Sequence, residues 1–208
     1  MPLTPPAEAV IFDFDGVIID SLPAVETAIN GALVEHGFEP RPRPEVARCI
    51  GPPTLTAFAS LTGAAEDSAT VAGTVATYHE LYARVYLQQT LLVDGIAGVL
   101  ERLTLPRALA TSKELRFVAP LLERFGLRFD AVSAPELSEP KSQTVARALD
   151  ALGGVDAVVV GDRFYDVDAA RANSLRVIGV SWGIGEREEL AGADFLVDRP
   201  EELAALLG

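Results

Sequence analysis

Cysteine and long apolar runs are scarce in this chain of 208 residues. Cys49 is the single cysteine, so no disulfide can form within the chain, which is consistent with a reducing compartment. No apolar run approaches the roughly 20 residues that a membrane-spanning helix needs. The first residues, MPLTPP, contain neither the basic nor the apolar segment of a signal peptide. These absences favour a soluble, cytoplasmic protein without a membrane partner.

Basic residues are also scarce. Lysine and arginine together number 17 against 30 aspartates and glutamates, which gives a formal net charge of −13. This balance argues against a nucleic-acid-binding protein, which normally has a basic face. It leaves a small phosphorylated substrate open, because an acidic protein can contain a locally positive pocket.

Apolar residues, in contrast, make up 49% of the chain, enough to bury a sizeable core. In the second half, short β-branched runs alternate with helical patterns. The runs that we interpret as strands lie at 107–112, 129–134, 156–162, 176–181 and 193–198; the helical patterns lie at 95–103, 121–126, 144–152, 168–173 and 200–207. Such alternation predicts an α/β fold with a Rossmann-like parallel sheet that helices cover on both faces. Pro120 indicates either a kink in the helix before Gly126 or a late start of that helix.

The first half differs. The apolar run Ala9–Phe12 predicts one more buried strand, but residues from about 17 to 91 contain no convincing strand. Two segments there, 23–37 and 68–89, have helical spacing, and proline-rich stretches separate them. We therefore expect a catalytic core of residues 1–16 and 92–208, with a small all-helical domain of residues 17–91 inserted after the first strand.

Polar residues follow the predicted strands where parallel α/β sheets bind their ligands, at the carboxyl ends. Asp13 and Asp15 follow the first strand, Thr111 and Ser112 end a second, and Asp162 ends a third. Asp166 comes four residues after Asp162, and Lys141 begins a helical pattern. Four carboxylates at one edge would repel one another, and a hard divalent cation such as Mg²⁺ would offset their charge. The pattern therefore predicts a metal site at this edge.

Phosphoryl chemistry explains why two acids stand side by side. Asp13 could attack a metal-bound phosphate, and Asp15 could protonate the leaving alcohol and then activate water. Gly16 would let the backbone turn without a side chain near the phosphate. Lys141 would supply positive charge to the phosphoryl oxygens, and Thr111 and Ser112 would supply hydrogen-bond donors, although a Thr-Ser pair at a strand end is more often a cap or a turn.

In these motifs the chain resembles the haloacid dehalogenase-like phosphohydrolases. DFDGVIIDS, ATSK, EPK and GDRFYDVDAA resemble the four motifs of that superfamily, and the helical insert resembles the cap of its phosphoglycolate phosphatase-like branch. The resemblance implies Mg²⁺-dependent hydrolysis of phosphate monoesters. It also implies that Asp13 is the nucleophile and a metal residue, and that Asp15 is the acid/base and a metal ligand through its backbone carbonyl. Asp162 and Asp166 would be further metal residues. Thr111, Ser112 and Lys141 would hold the phosphate.

Several functions fit these residues. A phosphatase acting on a small phosphorylated metabolite is the leading hypothesis, with phosphoglycolate, a sugar phosphate, a 5′-nucleotide or pyrophosphate as substrate. A phosphomutase would use the same four clusters but would need to hold its intermediate in the helical domain. A non-catalytic phosphate-binding module is the third alternative. A receiver domain also has a phospho-accepting aspartate and a lysine, but it lacks the large insert.

Overall fold

A computed structural model describes residues 2–135 and 139–208 of the chain. Its main sheet has six parallel strands in the order β5-β4-β1-β6-β7-β8. These strands are β1 (Ala9–Phe12), β4 (Arg107–Ala110), β5 (Ala131–Ser133), β6 (Ala157–Gly161), β7 (Arg176–Val180) and β8 (Phe195–Val197). The topology confirms the predicted α/β fold with a Rossmann-like parallel sheet. Each predicted strand is present; β1 has its predicted bounds, and the other five are one to three residues shorter than their predicted runs.

The order of the strands creates a switch point beside β1. From β1 the chain moves to β4 and β5 on one side, and it then returns to β6, β7 and β8 on the other. Val10 of β1 lies in register with Val158 of β6. Loops that leave β1 and β6 therefore diverge, and a crevice for ligands forms where such loops separate.

Helices α5 (Ile96–Arg102), α6 (Leu115–Phe125), α7 (Lys141–Ala151), α8 (Phe164–Ala172) and α9 (Pro200–Leu207) accompany this sheet, with a 3₁₀ turn at Arg187–Leu190. Strand β1 is wholly buried, as expected for the centre of a sheet covered on both faces. Pro120 lies inside α6, so the helix begins earlier than its apolar pattern indicates. Proline cannot donate the backbone hydrogen bond to the carbonyl of residue 116, and Arg116 is an exposed residue of the helix. Gly126 ends the helix in the left-handed conformation, as its position predicts.

The chain divides into two compact units. Unit 1 contains residues 1–20 and 92–208, and unit 2 contains residues 21–91. Residues 17–20, which the sequence pattern assigned to the helical insert, lie in unit 1. They include the two-residue strand β2 (Ile19–Asp20), which pairs with β3 (Leu91–Leu92) in a separate two-stranded sheet. The expectation of no strand between 17 and 91 was therefore wrong, because strands of two residues are too short to produce a recognisable alternation.

Unit 2 is helical, with α1 (Leu22–Glu35), α2 (Arg43–Ala47), α3 (Thr54–Thr62) and α4 (Ala69–Gln89). Ser68 caps the start of α4 by accepting a hydrogen bond from the Val71 N–H. Tyr82 on α4 is almost fully buried and stacks between two neighbouring tyrosines of the same helix. No helix among the described residues is long and apolar enough to cross a membrane.

Candidate active site

Three aspartates meet at the switch point of the sheet. Asp13 directly follows β1, and its backbone N–H donates to the carbonyl of Val160 in β6 at 2.9 Å. Asp162 directly follows β6, and Asp166 lies in the first turn of α8. One carboxylate oxygen from each of the three lies within 4.8 Å of the others, and all three residues are buried. We call Asp13, Asp162 and Asp166 the carboxylate cluster.

Only one of the two carboxylate oxygens of Asp162 accepts hydrogen bonds from the described residues. Its Oδ2 accepts backbone N–H bonds from Ile184 at 2.6 Å and Gly185 at 3.2 Å. Its Oδ1 is buried and has no hydrogen-bond partner among the described residues. A buried carboxylate oxygen normally has a partner, so this atom is suited to a bound cation.

Two glycines allow the backbone to approach Asp162 closely. A Cβ atom at Gly16 or at Gly183 would overlap the Asp162 side chain. Gly16 also has a φ of +86°, which disfavours other residues. Gly16 was predicted to leave room near the phosphate; in the structure its missing side chain makes room for Asp162.

Lys141 is the cation of the carboxylate cluster. Its Nζ lies 2.7 Å from Asp13 Oδ1 and 2.6 Å from Asp166 Oδ1. It is the first residue of α7, and its side chain is 9% exposed. One lysine facing three buried carboxylates leaves an excess of negative charge, which a divalent cation would offset.

The electrostatics of the cluster reflect this excess. Burial raises the pKa of Asp13 well above its usual range; Lys141 opposes this rise, while Asp166 and Asp162 add to it. Burial, with the neighbouring Asp166 carboxylate, raises the pKa of Asp162 to about 7. Burial alone would lower the pKa of Lys141, but Asp13 and Asp166 outweigh it and raise that pKa above its ordinary value. A bound cation would favour the charged carboxylates.

Asp15 pairs with a residue to which the sequence reasoning gave no role. Lys113 Nζ lies 3.0 Å from Asp15 Oδ1, and the two side chains are 9% and 10% exposed. Asp15 was predicted to bind the metal through its backbone carbonyl, and its side chain is not one of the three carboxylates of the cluster. A signal for Lys113 existed in the sequence, because the chain contains only two lysines and the other is Lys141.

The two residues predicted to bind phosphate, Thr111 and Ser112, differ in exposure. Thr111 is buried; its N–H donates to the Ser133 carbonyl at 3.0 Å, and its Oγ1 accepts the Lys113 N–H at 3.0 Å. The bond from the Lys113 N–H to Thr111 Oγ1 is a turn contact, and the role of the pair in binding phosphate stays a prediction. Ser112 is exposed.

The fold and the site together define a class of protein. A cluster of hard oxygen ligands with a buried lysine, at the carboxyl edge of a parallel sheet, can bind a divalent cation beside an anionic substrate. A carboxylate in such a place can act as a nucleophile towards phosphorus. These are the components of an α/β enzyme that transfers phosphoryl groups.

Comparison with known proteins identifies the family. Residues 10–180 match the model of the haloacid dehalogenase-like hydrolases. A phosphoglycolate phosphatase of Synechococcus elongatus is 29% identical, with 94% of this chain and 95% of the relative covered. A 5′-nucleotidase of Pseudomonas aeruginosa is 31% identical, with 87% of this chain and 86% of the relative covered. The crystal structure of a predicted phosphatase from Clostridium acetobutylicum superimposes with a TM-score of 0.87 at 29% identity, covering 96% of this chain and 97% of that one.

The chain therefore belongs to the haloacid dehalogenase-like hydrolase family, and it is a phosphoric monoester hydrolase. The resemblance to the phosphoglycolate phosphatase-like branch, first evident in the helical insert, is confirmed. Enzymes of this kind are generally metal-dependent, and the carboxylate cluster is suited to a metal ion.

Proposed function

We propose that this protein is a Mg²⁺-dependent phosphatase that hydrolyses a small phosphorylated metabolite through an aspartyl-phosphate on Asp13. The observation that carries the proposal is the meeting of Asp13, Asp162 and Asp166 with Lys141 at the switch point. The names of the relatives, a phosphoglycolate phosphatase and a 5′-nucleotidase, support a small phosphomonoester as the substrate.

The carboxylate cluster supports Mg²⁺ as the metal. All of its ligand atoms are carboxylate oxygens, and Mg²⁺ is usually bound through one or two carboxylates, waters and substrate phosphate oxygens. Asp13 and Asp162 would hold the ion, with Asp166 supporting it and the backbone carbonyl of Asp15 as a further ligand. When bound, the ion supplies positive charge that keeps the carboxylates ionised and attracts the phosphate.

Asp13 is the proposed nucleophile. Its carboxylate must be charged to attack phosphorus, whereas burial and the other two acids favour its protonated form. Lys141 counters this effect, because its ammonium lies against Asp13 Oδ1 and stabilises the charged carboxylate. The same ammonium would stabilise the phosphoryl oxygens as they gain charge.

Asp15 is the proposed proton carrier. It follows Asp13 by two residues, and its side chain forms an ion pair with Lys113. It would donate a proton to the leaving alcohol and then remove one from the water that hydrolyses the aspartyl-phosphate. The backbone of Gly16, with Thr111 and Ser112, would complete the phosphate site.

The remaining assignments rest on the sequence patterns. We propose that unit 1, which contains the expected core of residues 1–16 and 92–208, is the catalytic core, and that unit 2, which lies within the expected insert of residues 17–91, is a helical cap domain. A cytoplasmic location stays a prediction.

Release of phosphate from p-nitrophenyl phosphate tests the proposal. We expect turnover with Mg²⁺, no turnover with excess EDTA, and a loss of at least about 10³-fold in Asp13→Asn without loss of the fold. Asp168→Asn, an exposed change on the same helix as Asp166, is the matched control and should keep full activity. Wild-type turnover by Asp13→Asn or in EDTA would refute the mechanism.

A panel of phosphoglycolate, 5′-nucleotides, sugar phosphates and pyrophosphate then identifies the substrate by kcat/KM. Conversion of one sugar phosphate into an isomer without free phosphate would instead indicate a phosphomutase. Absence of turnover on every compound, together with measurable phosphate binding, would indicate a binding module.

A further inference from the structure

Both lysines of the chain form ion pairs with aspartates. The chain contains 15 arginines but only Lys113 and Lys141, and the side chain of each lysine, 9% exposed, pairs with one aspartate of the DFD sequence. Several arginines form ion pairs at the surface instead, such as Arg187 with Asp198. A lysine presents a compact point charge, whereas the planar guanidinium of arginine occupies more space and binds a carboxylate through two bonds. Lysine thus leaves more of the aspartate accessible.

The backbone is fixed at both ends of the Lys113–Asp15 pair. On one side, the Gly16 N–H donates to the Ile19 carbonyl at 2.7 Å, and the backbone of Asp15 forms an isolated β-bridge with that of Ile19. On the other side, the Lys113 N–H donates to Thr111 Oγ1 at 3.0 Å. Because the backbone is held, Asp15 can change its orientation mainly by rotation about its side-chain torsions. The ion pair with Lys113 restricts that rotation.

We propose that Lys113 is a positioning residue that holds Asp15 in the orientation needed for proton transfer; this inference rests on the proposed function. The ammonium donates to Asp15 Oδ1, and Oδ2 is the oxygen that we assign to proton transfer. As the Asp13 oxygen bonds to phosphorus, the bond from phosphorus to the leaving oxygen breaks, and that oxygen takes the proton from Asp15 Oδ2. Without Lys113, Asp15 would sample other rotamers and deliver its proton less often.

The dependence of the rate on the leaving group tests this role. An alkyl alcohol leaves poorly without a proton, whereas dinitrophenolate leaves readily as an anion. The quantity kcat/KM reports steps up to the first irreversible one, which is the release of the alcohol. For Lys113→Met we expect kcat/KM to fall by about 10²-fold with an alkyl phosphate such as glycerol 2-phosphate, the low end for general acid catalysis. With 2,4-dinitrophenyl phosphate we expect a fall of less than about fivefold, and Lys113→Arg should recover part of the lost rate.

Controls separate this inference from the proposed function. Arg116→Met makes the same change in charge at an exposed position nearby and should leave both substrates unaffected. If Asp13→Asn and Asp15→Asn keep wild-type rates, the proposed function fails. If those two variants lose activity but Lys113→Met loses none, or loses equally on both substrates, Lys113 is not a positioning residue for the acid.

A second measurement needs no variant of Lys113. In protein labelled with ¹⁵N at lysine, the two lysines give two side-chain signals, and Lys141→Arg assigns them. We expect Asp15→Asn to shift the Lys113 Nζ signal and to speed exchange of its protons with water, while the Lys141 signal changes little. An unchanged Lys113 signal would overturn the inference.

Discussion

The carboxylate cluster should make the metal-free protein less stable as the pH rises. An acid whose pKa is higher in the folded state than in the unfolded chain costs stability when the pH rises from the unfolded to the folded value. Asp162 behaves in this way, because burial and Asp166 raise its pKa from 3.8 to about 7. Since each unit of difference is worth about 1.4 kcal/mol, the full cost is about 4 kcal/mol.

Part of this loss of stability occurs in a pH range that is easy to measure. Between pH 5.5 and 7 the Asp162 contribution alone should lower the free energy of unfolding by about 2 kcal/mol. The pKa of Asp13 is raised for the same main reason, burial, so it acts in the same direction. The raised pKa of Lys141 has no effect here, because lysine is protonated in both states below about pH 10.

Urea unfolding in EDTA from pH 5.5 to 8, repeated with saturating Mg²⁺, checks this prediction. The metal should remove the slope, because it favours the charged carboxylates and binds the folded state. Asp162→Asn is the decisive variant: without the metal it should be more stable than the wild type at pH 8. Its amide can keep the bonds from Ile184 and Gly185 without burying a charge.

The wild type and Asp162→Asn contain the same histidines. Any contribution of the histidines to the dependence of stability on pH therefore cancels when the curve of one protein is subtracted from that of the other. A wild-type stability that stays level or rises from pH 5.5 to 8 in EDTA would show that the three acids do not share a strained, buried environment. So would an Asp162→Asn protein that is less stable than the wild type at pH 8.

Three further predictions concern the surroundings of the cluster. Gly183→Ala should weaken Mg²⁺ binding in calorimetry and cost about 1–3 kcal/mol of stability, because the new Cβ overlaps a carboxylate; Gly98→Ala, which faces only a flexible arginine, should do neither. Glu189→Ala removes the carboxylate that accepts the 2.8 Å bond from Arg163 Nε at the start of α8, so Mg²⁺ should bind about tenfold more weakly; unchanged affinity would contradict this. Lys141→Met leaves two buried carboxylates without their cation, so urea unfolding in EDTA should show a loss of about 3–5 kcal/mol, and a loss below 1 kcal/mol would be inconsistent with the observed pairing.

The strands were predictable because their apolar runs are continuous. β1 is buried along its whole length, and its run ends at Asp13, so both the strand and the acid after it could be located from the residues alone. Helix α3 was missed, because the prolines at 52 and 53 suggested a break, although Pro53 merely precedes the first turn. The start of α6 was missed because Pro120 lies within the helix rather than at its beginning.

The sequence by itself determined that Asp13 and Asp162 share one edge of the sheet, because parallel strands end their apolar runs on the same side. It did not determine where loop side chains point. The folded chain directs Asp15 to Lys113, 98 positions further on, leaves Ser112 exposed, and places the N–H groups of residues 184 and 185 on Asp162. Those pairings depend on the path of each loop after its strand, and hydrogen bonds between distant segments set that path.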